Sequence, residues 1–186
     1  MKDLDKNLII KIKEGDMDAF RLLVEKYKDV SLSLIFSIVK DEALAEDILQ
    51  EAFIRVFHKI DTFNFKSNFS TWLYRIMVNL SYTELKRTKI NQDVNDLSQL
   101  PENLISREEL LKVENQKKYI QLALKKINAD EALVLQLFYL SEMSIKEVIK
   151  ITGFSKAKVK VSLHRGRNNL NFQLKRLLGD ELKNLL

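Results

Sequence analysis

Apolar side chains recur along this chain at spacings of three and four, the period of one helix face, in block after block. Leu8, Ile9 and Ile12 give a short amphipathic helix over 4–14, stopped by Gly15. Asp16 is placed to cap a second helix, where Ala19, Phe20, Leu23, Val24 and Tyr27 continue through Leu34, Ile35 and Ile38. Asp41 caps a third over 42–60, with Leu44, Ile48, Ala52, Phe53, Val56 and Phe57 inward and Glu46, Asp47, Gln50, Glu51 and Arg55 outward. The stretch 61–70, DTFNFKSNFS, breaks the period, and Ser70 is the expected cap of a fourth helix over 71–87. From Thr88 to Ser106 the apolar period vanishes, and Asn, Gln, Asp and the single proline, Pro101, take over. Residues 88–105 read as a flexible linker, tens of ångströms long if extended.

Beyond the linker, Ser106 with Glu109 forms a capping box that opens a helix through Lys126, with Leu110, Val113, Ile120 and Leu124 inward. Asn128 and Glu131 cap the next, on which Leu133, Leu137 and Phe138 pack. Ser144 and Glu147 are a further capping box, followed by Ile145, Val148, Ile149 and Ile151 on one stripe and Gly153 as a left-handed stop. Ser155 then caps a last helix toward Leu178 that buries Val159, Leu163 and Leu170. The expectation is an all-α protein of two small helical domains, 1–87 and 106–186.

Two helices bent around Gly153, the second crowded with cations, are the pattern of a DNA-reading helix-turn-helix. No acid falls between Ser155 and Asn169. The candidate duplex-reading set is Ser155, Lys156, Lys158, Lys160, Val161, His164, Arg165 and Arg167. An ordinary helical hairpin with a solvated basic face is the plainer alternative. The net charge of +5 is unevenly placed. Acids and bases nearly balance from Lys2 to Lys89, and the excess falls after Lys117, which points to a polyanion partner.

There is no cysteine, which removes disulfides, thiolate metal sites and a cysteine nucleophile. The N-terminus carries too many charges for a signal peptide, and no apolar run approaches the roughly 20 residues that span a bilayer, so a cytoplasmic chain without membrane insertion is expected. His58 and His164 lie in different domains with no clustered carboxylates, and there is no glycine-rich phosphate loop. No catalytic residue, metal or cofactor is expected. The aromatic loop is more informative. Phe63, Phe65, Phe69, Trp72 and Tyr74 sit among Asn64, Lys66, Ser67, Asn68 and Arg75, and unpaired bases need flat rings and cations of this kind. Phe69 and Trp72 share a helical face with Ile76 and fit a core. Phe63, Asn64, Lys66, Ser67 and Asn68 are the candidates for ligand contact.

In four stretches, AEDILQEAFIRVF, DTFNFKSNFSTWLYRIMVN, the tether and SIKEVIKITGFSKAKVKVSLHRGRNNL, the chain resembles the extracytoplasmic-function (ECF) sigma factors of the sigma-70 superfamily. The resemblance implies a non-enzymatic transcription initiation factor with sigma region 2 at 1–87 and region 4 at 106–186. It implies that Asp47, Gln50, Glu51 and Ile54 dock on the clamp helices of core RNA polymerase, with the polymerase flap as a second contact. It further implies that the loop 63–70 holds a flipped base of the minus-ten element, and that Asn79, Lys86 and Arg87 meet DNA just upstream. Lys156, Lys158, Lys160 and Arg165 would enter the major groove at the minus-thirty-five element, and an anti-sigma factor is an implied partner. Phe65 stands where the family often has glycine, and Lys158–Ser162 departs from the family's usual recognition helix. These departures bear on the promoter sequence read, not on the class. Two other readings remain: a dimeric regulator on a duplex operator, which leaves the aromatic loop unused, and a helical interaction module, which leaves the focused basic charge unexplained.

Overall fold

The computed structural model describes the backbone of residues 2–92 and 113–178 and the side chains of 5–88 and 119–178. All regular structure among these residues is helical: α1 (Lys2–Lys13), α2 (Met17–Val39), α3 (Glu42–Lys59), α4 (Phe69–Gln92), α5 (Val113–Lys126), α6 (Ala129–Leu135), α7 (Ile145–Thr152) and α8 (Lys156–Leu178). Residues 88–92, expected at the start of the linker, continue α4, while 93–105 and the Ser106–Glu109 box lie outside the described residues.

Helix starts follow the local chemistry. The Asp16 carboxylate accepts from Ala19 N–H, Asp41 from Leu44 N–H, and Asn128 from Asp130 N–H. Each satisfies a donor that the first turn leaves unpaired. The Ser144–Glu147 box is closed in both directions, and Gly153 ends α7 at φ 72°. Lys158 N–H then donates to Ser155 Oγ at 3.1 Å and starts α8. The expected Ser70 cap is corrected: α4 begins at Phe69, and Trp72 N–H reaches the carbonyl of Asn68, which makes Asn68 the residue at the helix entrance. Glu131 likewise does not cap α6; its carboxylate takes Asn169 of α8 at 2.7 Å.

In the first half α2 is central, packed on α1, α3 and α4, around Leu23, Leu34, Ile35, Ile48, Leu73 and Met77. In the second half α8 lies on α5 and α6, around Leu133, Leu137, Val148, Val159 and Leu163. Each such fully buried side chain stabilises by about 1.5–3 kcal/mol relative to its exposed state. Two inward placements are corrected. Phe57 is 38% exposed because it sits in the last turn of α3, where Phe20 lies edge-on to it at 5.1 Å and His58 at 5.8 Å. Ile120 faces out; Leu124 is buried as expected, with Tyr119 and Ala123 on the same side of α5 and Ile127 just beyond its end.

A π-helical turn, Gln136–Leu140, follows α6 and was not foreseen. The widened turn, closed from Ser141 N–H to the Gln136 carbonyl, buries Gln136 and leaves Tyr139 and Leu140 exposed. The buried Gln136 amide donates to Ser33 Oγ of α2 at 2.8 Å. This bond belongs to a contact between the two halves: α7 lies on α4, and α6 and the π turn lie on α2. The two helical regions expected from sequence are present, and here they share one continuous apolar core.

Candidate nucleic-acid interface

Three surfaces hold the residues singled out by the sequence. The first is the outer face of α3. Asp47, Gln50 and Ile54 are exposed and Glu51 is half-buried, at positions three and four apart that project on one side. Glu51 is tied to Arg55 by an ion pair at 2.5 Å. Buried Ile48, Ala52 and Val56 occupy the opposite side. The same outer stripe runs on into an apolar end that sequence reasoning missed. Ile54, 57% exposed, is followed by Phe57, with Phe20 against it and Met17 exposed at the start of α2. Phe57 fits the core period by spacing, so only its place at the end of the helix pair reveals it.

The second surface is the loop between α3 and α4. A single 3-10 turn, Ile60–Thr62, leaves α3, and Phe63 N–H closes it onto the Ile60 carbonyl at 3.0 Å. Phe63 was expected to present its ring to a ligand, and this is corrected: it is 3% exposed, its ring edge-on to Phe69 at 5.6 Å and tilted on Trp72 at 5.3 Å. Removing that apolar ring from water outweighs its position in a loop. Phe65 is the ring left outside, 42% exposed, 5.1 Å from Phe63, in the left-handed region at φ 59°. That backbone costs a non-glycine residue roughly 1–2 kcal/mol. The Asn64 carboxamide accepts Lys66 N–H at 3.2 Å, which folds the loop on itself. Asn64 and Lys66 are exposed; Ser67 and Asn68 are half-buried, and the Asn68 amide donates to Glu147 at 2.9 Å. On α4, Asn79, Lys86 and Arg87 are exposed, with Arg87 3.8 Å from Glu84.

The third surface is α8. Ser155, Lys156, Lys158, Lys160, Val161, His164, Arg165 and Arg167 are all exposed, opposite the buried Val159, Leu163 and Gly166. No acid interrupts them, so the helix offers phosphate a cationic face. Two of the cations already have partners. Lys158 pairs with Asp130 at 2.7 Å and lies 3.7 Å over the Phe154 ring, while Arg167 lies 5.5 Å over Tyr139. Asp130 also accepts the Tyr82 hydroxyl of α4, and burial followed by this bond pushes the Tyr82 phenol well up. Asp130 is thus a hub joining α4, α6 and α8. Periodicity carries no signal for such a contact. Among the described residues no group of three or more histidines and carboxylates gathers as for a metal, and no helix is long and apolar enough to cross a membrane.

The separation into a loop-bearing first half and a helix-turn-helix second half is matched by family models. Residues 23–90 match Sigma-70 region 2, and residues 112–170 match Sigma-70, region 4. The ECF RNA polymerase sigma factor SigW of Bacillus subtilis is 34% identical over 95% of this chain and 100% of its own length. The ECF RNA polymerase sigma-E factor of Escherichia coli K12 is 26% identical over 94% of this chain and 96% of its own. Among solved structures, the fold resembles RpoE of Bartonella quintana bound to the anti-sigma factor NepR, with a TM-score of 0.69, 22% identity and coverage of 84% and 96%. It also resembles CnrH bound to the cytosolic domain of CnrY, with a TM-score of 0.65, 22% identity and coverage of 93% and 98%. On the two region matches and the full-length likeness to SigW, the chain belongs to the sigma-70 family, among the ECF RNA polymerase sigma factors.

Proposed function

We propose that this transcription initiation factor works through the three surfaces in turn, in the cytoplasm, with the polymerase supplying catalysis. The α3 stripe of Asp47, Gln50, Glu51 and Ile54, with its apolar end at Phe57 and Met17, docks on the clamp helices of core polymerase. The face of α8 reads duplex DNA at the minus-thirty-five element while region 4 meets the flap. The loop at 63–68 holds unpaired bases of the minus-ten element, with Asn79, Lys86 and Arg87 on the adjoining DNA. The region boundaries follow the sequence reading, 1–87 and 106–186 around the linker. An anti-sigma factor is the proposed regulatory partner, as RpoE and CnrH are held by other proteins in their solved structures.

The observation that carries this reading is the loop. Its backbone is anchored by a buried ring, while the Asn64 carboxamide, the Lys66 ammonium and the exposed Phe65 ring point outward. A duplex-binding repressor has no use for such a loop. An initiation factor must offset an opening cost of about 1–2 kcal/mol per stacked step, and stacking of a base on a ring returns about 1–3 kcal/mol.

The packed arrangement of the halves is not the one that reads a promoter. Elements centred about 25 base pairs apart are separated by roughly 85 Å of duplex. The Asn68–Glu147 contact at 2.9 Å holds loop and helix-turn-helix together. The regions therefore separate on DNA, and the part of the linker beyond α4, 93–105, reaches up to roughly 45 Å if extended, with the helices covering the remainder.

Replacing Asn64, Lys66 and Asn68 together by Ala tests the function. Core binding and closed complexes should persist, while permanganate reactivity of unpaired thymines falls sharply. A promoter with a pre-melted bubble should recover part of the activity. A triple variant that opens promoters as well as wild type would end the base-capture role.

A further inference from the structure

The first helix lies outside the matched region 2, which begins at residue 23, and the proposed function leaves it without a task. Its last residue, Lys13, reaches the loop. The ammonium donates to the Phe63 carbonyl at 2.7 Å and to the Asp61 carbonyl at 3.1 Å. It also stands 5.4 Å from the centre of the Phe65 ring. These partners lie 48 and 50 residues away in sequence, so this is a tertiary clasp on the loop.

The clasp bears on a strained residue. Phe65 is held in a left-handed backbone that a side chain disfavours. On one side the Asn64 carboxamide fixes the turn through Lys66 N–H, and on the other Lys13 fixes the carbonyl of Phe63. Without Lys13, the carbonyls at 61 and 63 lose a charged donor, stronger than a neutral one. Phe65 is then free to relax toward ordinary backbone angles, which moves its ring and the neighbouring amides.

We propose that Lys13 is a positioning residue of the minus-ten loop, holding Phe65 exposed as the surface on which an unpaired base stacks. The inference rests on the base-capture reading above and assigns two residues to it. The buried Phe63 cannot offer its ring, and Phe65 is the ring beside it that can. Lys13 touches no base itself and acts through the backbone of the loop.

The test uses holoenzyme reconstituted from core polymerase and the full chain. The probe is a fork DNA whose unpaired strand is the tightest binder selected by wild-type holoenzyme from a random pool. K13M keeps the aliphatic stem and removes the donors, and should weaken fork binding roughly tenfold. Core affinity and the binding of fully paired promoter should not change. K13R, with donors enough for both carbonyls, should recover most of the loss.

F65G removes the ring and the strain together, so it should weaken fork binding by itself. In that background K13M should cost about twofold or less, the non-additivity expected of residues acting through one another. Additive losses in the double variant would overturn the proposal. So would a salt slope reduced by about one in K13M, which would make Lys13 a phosphate contact. Normal fork binding by K13M beside a defective Asn64, Lys66 and Asn68 triple variant would sink the role of Lys13 alone. Normal binding by the triple variant would sink the base-capture reading beneath it.

Discussion

One bond of the contact between the two halves can be removed by deleting a single atom, the hydroxyl of Tyr82. It donates from α4 to Asp130 of α6, while Asp130 keeps its ion pair with Lys158 at 2.7 Å. Tyr82→Phe deletes that bond, retains the ring 6.5 Å from Phe154, and leaves no buried donor without a partner. A hydrogen bond to a charged group contributes about 1.5–3 kcal/mol net. Because Tyr82 is half-buried and Asp130 remains paired, the low end applies, so about 1.5 kcal/mol, or roughly a tenfold shift toward separated regions. The chain has no cysteine, so cysteines introduced at the exposed Lys6 and Lys146 can be labelled alone with a donor and acceptor dye. Single-molecule energy transfer should show a larger low-efficiency population in Y82F than in wild type. Asp130→Ala should enlarge it further, since it leaves the half-buried Tyr82 hydroxyl in the packed form without its acceptor. If both variants gave the wild-type distribution, the Tyr82–Asp130 bond would not hold the halves together. A drop in melting temperature with unchanged transfer would instead make Tyr82 a support for region 2 alone.

Three further outcomes are expected. Charge reversal at Asp47 and Glu51 should abolish pull-down of core polymerase with helix content unchanged by circular dichroism, because both lie opposite the buried Ile48–Ala52–Val56 stripe. Lys158→Ala and Lys160→Ala should each weaken holoenzyme binding to duplex carrying the upstream element and reduce its salt slope by about one, the signature of a lost phosphate contact. The third concerns pH. Lys40 ends α2 and donates to the Leu124 carbonyl of α5, and burial there lowers its ammonium from 10.5 to about 8. Between those values the separated form binds the proton that the packed form has lost, so packing strengthens as pH rises from about 8 to 10.5 and is flat below about 8. The same dye pair should report this rise, and Lys40→Met should remove it.

What the sequence disclosed and what it withheld divide by the range of the interaction that decides each feature. The capping box at Ser144 and Glu147, the left-handed stop at Gly153 and the cap at Ser155 are each settled within about four residues, so the helix-turn-helix was legible in full. The exposed cations of α8 followed from the same local period, since the buried positions fix where the others must point. The aromatic loop has no period. Nothing in the order of Phe63 and Phe65 says which ring turns inward, because the choice is made by Trp72 and Phe69 on one side and Lys13 on the other. Phe65 stands where the family often has glycine, and its left-handed backbone at φ 59° gives that preference a physical reason, but nothing in the order of residues names one able to hold it. The hub at Asp130 lay further out of reach. An acid in the first turn of a helix is already accounted for by the helix dipole, so its bonds to Tyr82 and Lys158 add no visible demand on the sequence. Those withheld contacts join elements far apart in the chain, and they include bonds between the two halves that, on the proposed reading of the promoter, break when the regions reach their separate elements.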